Sequence, residues 1–185
     1  LQSDVQLDYQ NISSFANEIS MGWFTSVWDI PSLTFMAGFS VPYIKIPSVL
    51  ITNLELLQLA ATYTKNWGCQ LMLSSGMSSL KEVDTAVETI QEAGLIAPIL
   101  FHCHSGYPAD DSELNLSLIP FYKERYKIPV GFSSHSTSPF PAIYAAAWGA
   151  EYLEVHITLD RTMKGSDQAA SLEKSGLELL TREIS

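Results

Sequence analysis

Two histidines stand at the ends of short β-like runs: His135 follows PVGFSS, and His156 closes EYLEVH. Imidazole is the commonest metal-ligating side chain, and two at the same end of neighbouring strands can come within reach of one cation. Two imidazoles are too few for a closed structural zinc centre. They suit an open octahedral site completed by water and substrate, which favours manganese, magnesium or a similar ion. Glu154 precedes His156 by two residues, which places both side chains on one face of a strand. A carboxylate beside a cation orients a substrate hydroxyl or takes up a proton. His102 and His104 flank Cys103 and are expected to divide between the two faces of their strand. His102 reads as structural, and His104 is left open.

Small hydroxyl residues follow the same runs: Ser26, Ser48, Ser74 with Ser75, Ser105 two residues before Tyr107, and Ser133 with Ser134. One serine in a loop is ordinary. Recurrence at five of six strand ends suits a site that holds phosphate or carboxylate oxygens through O–H and loop N–H groups. Lys45 lies between Ile44 and Ile46. Pointing inward, it requires an anionic partner, because a buried unpaired ammonium is very costly. The loop LDRTMKGSDQAAS is placed to fold over the mouth of such a site, and in it Asp160 and Arg161 are expected to form a stabilising ion pair.

The elements that must position these residues show in the apolar rhythm. Strands are predicted at Gly22–Ser26, Tyr43–Ile46, Gln70–Leu73, Pro98–Cys103, Val130–Phe132 and Tyr152–Val155. Val83, Ala86, Val87 and Ile90 fall at i, i+3, i+4 and i+7, one helix face, and Ser79 with Glu82 forms a capping box ahead of them. Thr52 with Glu55 suggests a second box before a helix over Asn53–Trp67, and an alanine-rich helix is expected over Pro141–Trp148. Gly94 and Gly149 sit where helices should stop. Strands alternating with helices imply right-handed βαβ units and a parallel sheet. About six such units make either an open doubly wound sheet or six-eighths of a barrel. No GxGxxG follows the first strand, which weakens the nucleotide-binding version. In both folds, chemistry gathers at the carboxyl ends of the strands.

The bulk properties bound the rest. The 185 residues are enough for one domain, and 46% hydrophobic with 16% charged residues is an ordinary globular balance. A net charge of −10 argues against nucleic acid as a partner. Two cysteines without a CxxC spacing point to a reducing cytoplasm. No apolar run reaches the roughly 18 residues of a membrane span. The chain starts at Leu1, so it is expected to be a fragment.

The runs SSGM, HCHSGYP, GFSSHS and EVHITLDRTMKGSD, in this order, resemble the sialic acid synthase family, which includes N-acetylneuraminate synthases and spore-coat polysaccharide synthases. The resemblance extends from about Ser14 to Leu180. It implies a (β/α)8 TIM barrel, here incomplete, with residues 1–185 as a single partial domain. The family's first two βα units and its C-terminal antifreeze-like domain are expected to be absent. It further implies condensation of phosphoenolpyruvate with an N-acylated amino sugar resembling N-acetylmannosamine, giving a nine-carbon 2-keto sugar acid and phosphate. A divalent ion, manganese before magnesium, and a homodimeric full-length parent belong to what the resemblance implies, and the fragment alone is expected to be inactive. His135 and His156 then resemble the metal ligands. Lys45, Ser26, Ser48, Ser74, Ser105 and Ser133 resemble the phosphoenolpyruvate pocket, and Glu154, Tyr107 and Asp167 the sugar side. Val49-Leu50, Ser134, Lys164 and Ser166 depart from the family pattern, with Leu50 expected in place of an acidic active-site group. The alternatives are a non-catalytic anion- or sugar-binding relative and another aldol-type barrel enzyme.

Overall fold

The computed structural model describes residues 2–185, with side chains from residue 5 onward. Helices α1 (Gln2–Glu18) and α2 (Ile30–Met36) precede strand β1 (Tyr43–Ile46). Then follow α3 (Leu54–Trp67), β2 (Gln70–Ser74), α4 (Leu80–Glu92), β3 (Ile99–Cys103), α5 (Leu118–Tyr126), β4 (Val130–Ser134), α6 (Phe140–Ala147), β5 (Tyr152–Val155) and α7 (Lys174–Ile184). The five strands are all parallel and neighbour one another in chain order. No helix among the described residues is long and apolar enough to cross a membrane.

Strand alternation divides the side chains between two surfaces. Ile44, Ile46, Leu71, Leu73, Leu100, Val130 and Phe132 join the main core, with Leu57 and Ala60 of α3 and Val83, Val87 and Ile90 of α4. Met72, Ile99 and Phe101 form a second cluster with Tyr43 and Tyr152. Tyr43 and Tyr152 belong to the first and last strands of the sheet, yet their rings approach to 6.5 Å. Accumulated strand twist has therefore curled the sheet until its two ends face each other across an interior. The result is an incomplete (β/α)8 barrel, helices outside and a filled lumen within.

Close packing of that lumen depends on Gly131. Its register neighbours are Phe101 and Tyr152, and a Cβ there would lie 2.7–2.9 Å from the Phe101 ring. Gly131→Ala is expected to cost about 2 kcal/mol through overpacking. A lowered urea midpoint with an unchanged slope would register it, and an unchanged midpoint would contradict it.

Several local expectations are met. Ser79 and Glu82 form the capping box at α4, where Val83, Ala86, Val87 and Ile90 are buried. Gly94 and Gly149 follow α4 and α6 with φ of +90° and +94°. Others are corrected. The helix α3 is capped by Asn53, whose side chain accepts from the Leu56 N–H at 3.2 Å, so Thr52 and Glu55 form no box. The predicted strand at Gly22–Ser26 is only a single bridge from Ser26 to Lys45, leaving five strands where six were expected. Trp23 is drawn instead into an aromatic cluster with Tyr9 and Phe39, at 6.0 and 5.6 Å, and the segment leaves the ladder after one contact.

Candidate active site

The carboxyl ends of the strands surround one cavity of about 480 Å³. Ser26, Lys45, Ser48, Ser74, Ser105, Tyr107, Ser133, His135, Glu154, His156 and Asp167 all line it, whereas Ser75 and Ser134 do not. Parallel strands connected by outer helices all end on the same side. Residues at or just past those ends therefore converge, although they are spread over most of the chain.

An ion pair crosses the interior. Lys45 of β1 binds both carboxylate oxygens of Glu154 on β5, 109 residues later. Ser133 Oγ also donates to Glu154 Oε1, at 2.8 Å. Burial by itself would raise the Glu154 pKa. The Lys45 charge and the hydrogen bonds from Lys45 and Ser133 outweigh it and hold the carboxyl below its ordinary value. Glu154 is thus a carboxylate at neutral pH, suited to accepting hydrogen bonds. Lys45, only 9% exposed, has the anionic partner its position required.

The two imidazoles meet edge to face, with ring centroids 5.2 Å apart and ring planes at 75°. His135 is buried, and its Nδ1–H donates to the His104 carbonyl at 2.6 Å. That bond fixes the tautomer and leaves the Nε2 lone pair accepting, here from the Tyr107 hydroxyl at 2.8 Å. Burial is the main cause that lowers the His135 pKa, so the ring is neutral at pH 7, the state a metal ligand requires. Tyr107 stacks on His135 at 4.0 Å. Desolvation first, then the neighbouring Cys103, Asp167 and Glu154, push its phenol up to about 12, so it remains a donor. The 3.5 Å approach of Asp167 Oδ2 to His156 Nδ1 brings a second carboxylate to the imidazole pair.

Hydroxyls line the same cavity. Ser48 Oγ accepts from the Gly76 N–H at 3.1 Å and lies 3.2 Å from Cys103 Sγ. Ser74 Oγ is buried and has no hydrogen-bond partner among the described residues, which suits a wall built to hold anionic oxygens.

Some readings fail here. His102 and His104 do not divide between the faces of β3. Residues two apart share a face, and both histidines turn away from the cavity, His102 Nε2 to the Leu114 carbonyl at 2.7 Å and His104 Nε2 to Glu113 at 3.3 Å. Asp160 and Arg161 form no pair. Asp160 caps Thr162, and Arg161 faces Glu173 at 4.0 Å. Leu50 packs against the core and does not line the cavity, while Val49 does. Cys103, Trp28 and Met77 also line it and had not been singled out as site residues. Alternation from His102 would have found Cys103. Nothing in the local pattern marks Trp28, and Met77 closes the SSGM run without having been given a role.

The profile of the NeuB family matches residues 4–185. The chain is 34% identical over 177 residues to an N-acetylneuraminate-9-phosphate synthase of Drosophila melanogaster, covering 95% of this chain and 46% of that protein. It is 33% identical over 171 residues to an N,N'-diacetyllegionaminic acid synthase of Campylobacter jejuni, covering 91% of this chain and 50% of that protein. The crystal structure of an N-acetylneuraminic acid (sialic acid) synthetase from Leptospira borgpetersenii in complex with citrate matches with a TM-score of 0.89 at 33% identity. That match covers 97% of this chain and 61% of that one. The chain spans about half the length of these curated relatives. With barrel architecture, a site at the strand ends and a family match across almost the whole sequence, the chain belongs to the NeuB family.

Proposed function

We propose that the protein carrying this chain condenses phosphoenolpyruvate with an N-acylated amino sugar, of the N-acetylmannosamine type, to a nine-carbon 2-keto sugar acid and phosphate. The observation that carries the reading is the cavity itself. A charged Lys45–Glu154 pair, a serine wall and two adjoining imidazoles line one space. The names of the relatives, which are sialic acid and legionaminic acid synthases, point the same way.

In this reading Lys45 and the hydroxyls of Ser48, Ser74 and Ser105 receive the phosphate and carboxylate of phosphoenolpyruvate. Lys45 need not be desolvated on binding, because Glu154 already holds it inside. Glu154, kept ionised, accepts a hydrogen bond from the sugar or from the water that adds to C2 as phosphate leaves by C–O cleavage. Tyr107 holds its proton and donates it as a hydrogen bond. His135 and His156 fit a divalent cation, manganese or magnesium. One ring is neutral, buried and tautomerically fixed; no group of three or more His, Cys, Asp and Glu side chains placed for a metal exists among the described residues, so water and substrate would have to complete the coordination. Such an ion, when bound, supplies Lewis-acid polarisation of the sugar aldehyde. The active protein is proposed to be a homodimer.

The test is phosphate release by the complete gene product. Release is expected only when phosphoenolpyruvate, an N-acylhexosamine and a divalent ion are all present. Release that ignores the sugar would refute the condensation.

A further inference from the structure

We propose that Met77 is a specificity-determining residue that covers the apolar part of the bound sugar, a role that rests on the reading of the cavity just given. Met77 has a backbone φ of +61°, the left-handed region that glycine enters freely and other residues avoid. Its side chain is 70% exposed and lines the mouth of the cavity. No buried packing in the fold accounts for a methionine there.

The surrounding turn imposes that conformation. On one side, the N–H and hydroxyl of Ser75 both donate to the Phe101 carbonyl, each at 3.0 Å. Gly76 is pressed so closely on the serine wall that a Cβ would lie 2.8 Å from Ser48 Oγ and 2.9 Å from Cys103 Sγ. On the other side, the Ser78 hydroxyl donates to the Gly76 carbonyl at 3.2 Å, and Ser79 begins the capping box of α4. Residues before and after Met77 are therefore tied down, and the strained φ persists because its neighbours determine it. Strain at the rim of a site, carried by an exposed side chain where glycine would fit without cost, points to what that side chain reaches. A flexible, polarizable thioether adapts to an apolar group, and the N-acyl methyl of an amino sugar is such a group. Val49 and Trp28, 54% and 60% exposed, line the same mouth, so apolar side chains surround the entrance to a polar floor.

The experiment compares the complete protein with its Met77→Gly and Met77→Leu variants by steady-state kinetics and thermal unfolding. In Met77→Gly the KM for the N-acetylated sugar is expected to rise about tenfold, with kcat and the KM for phosphoenolpyruvate within about twofold of the parent. Met77→Leu is expected to keep the parent's KM values. Unfolding of Met77→Gly is expected at an equal or higher temperature, since relief of strain offsets the added freedom of the unfolded chain. An unchanged sugar KM in Met77→Gly, a rise confined to phosphoenolpyruvate, or a clear loss of thermal stability would each overturn the assignment. Sugar-dependent turnover with an unaltered KM sinks the role of Met77 alone. A parent protein whose turnover ignores sugar sinks both this role and the condensation reading.

Discussion

Glu154→Gln is expected to destabilise the barrel by about 3 kcal/mol at pH 7, the lower end of the roughly 3–5 kcal/mol range for breaking a buried ion pair. The glutamine keeps the shape of the side chain and removes the charge. Lys45, 9% exposed, then has no ion-pair partner among the described residues, and an ammonium in that position carries a large desolvation penalty. The figure stays at the lower end because the Glu154 side chain is 26% exposed, so water screens part of the effect. Replacing both members, Lys45→Met with Glu154→Leu, is expected to recover most of the loss, since apolar residues of similar volume need no partner.

The pH dependence has a definite sign. The folded pKa of Glu154 lies below its ordinary value of 4.5, so its ionisation stabilises the fold fully above that value. As pH falls below about 4.5 and through the folded pKa, the stabilisation is lost. The gap between the parent and Glu154→Gln should therefore narrow on acidification and be widest near neutrality. Equal urea midpoints for the two proteins at pH 7 would remove the ion pair from the account of stability.

The second large effect concerns the imidazoles. In the complete protein, His135→Ala is expected to weaken manganese binding by about a hundredfold or more and to reduce turnover by about a thousandfold. His135 would be half of the proposed cation site, and its tautomer is set by the His104 carbonyl. Loss of a buried ring also leaves a void, so activity alone would not separate chemistry from folding. His102 supplies the control. It is equally buried, at 5%, but donates to the Leu114 carbonyl on the helix side of the sheet. His102→Asn is expected to lower stability and leave manganese titration unchanged. A titration that His135→Ala leaves intact would withdraw the assignment, whatever the effect on turnover.

Much of the site was legible in the chain because a parallel βα repeat couples sequence position to spatial side. Polar residues at or just past the strand ends gather at the same mouth when alternation turns them inward, and reading the strands brought Lys45, Ser74, Ser105, His135, Glu154 and His156 to one cavity, while His104 turns away. Helix α4 was equally clear, since its cap and its apolar face are both local patterns. Element boundaries were less so. Thr52 and Asn53 are adjacent cap-forming residues, and only the backbone path determined that Asn53 accepts the bond from Leu56. The segment at Gly22–Ser26 had strand composition, yet the aromatic neighbours of Trp23 took it away from the sheet.

What the sequence could not contain is the curl. Twist accumulates over five strands, and only the closed arc brings Tyr43 to Tyr152 and Lys45 to Glu154. The same arc stacks Tyr107 on His135 and places Met77 and Trp28 at the mouth. Residue types and their strand-end positions are local properties, written by alternation and period. Partners more than a hundred residues apart are chosen by the curvature of the whole sheet, which no local pattern records.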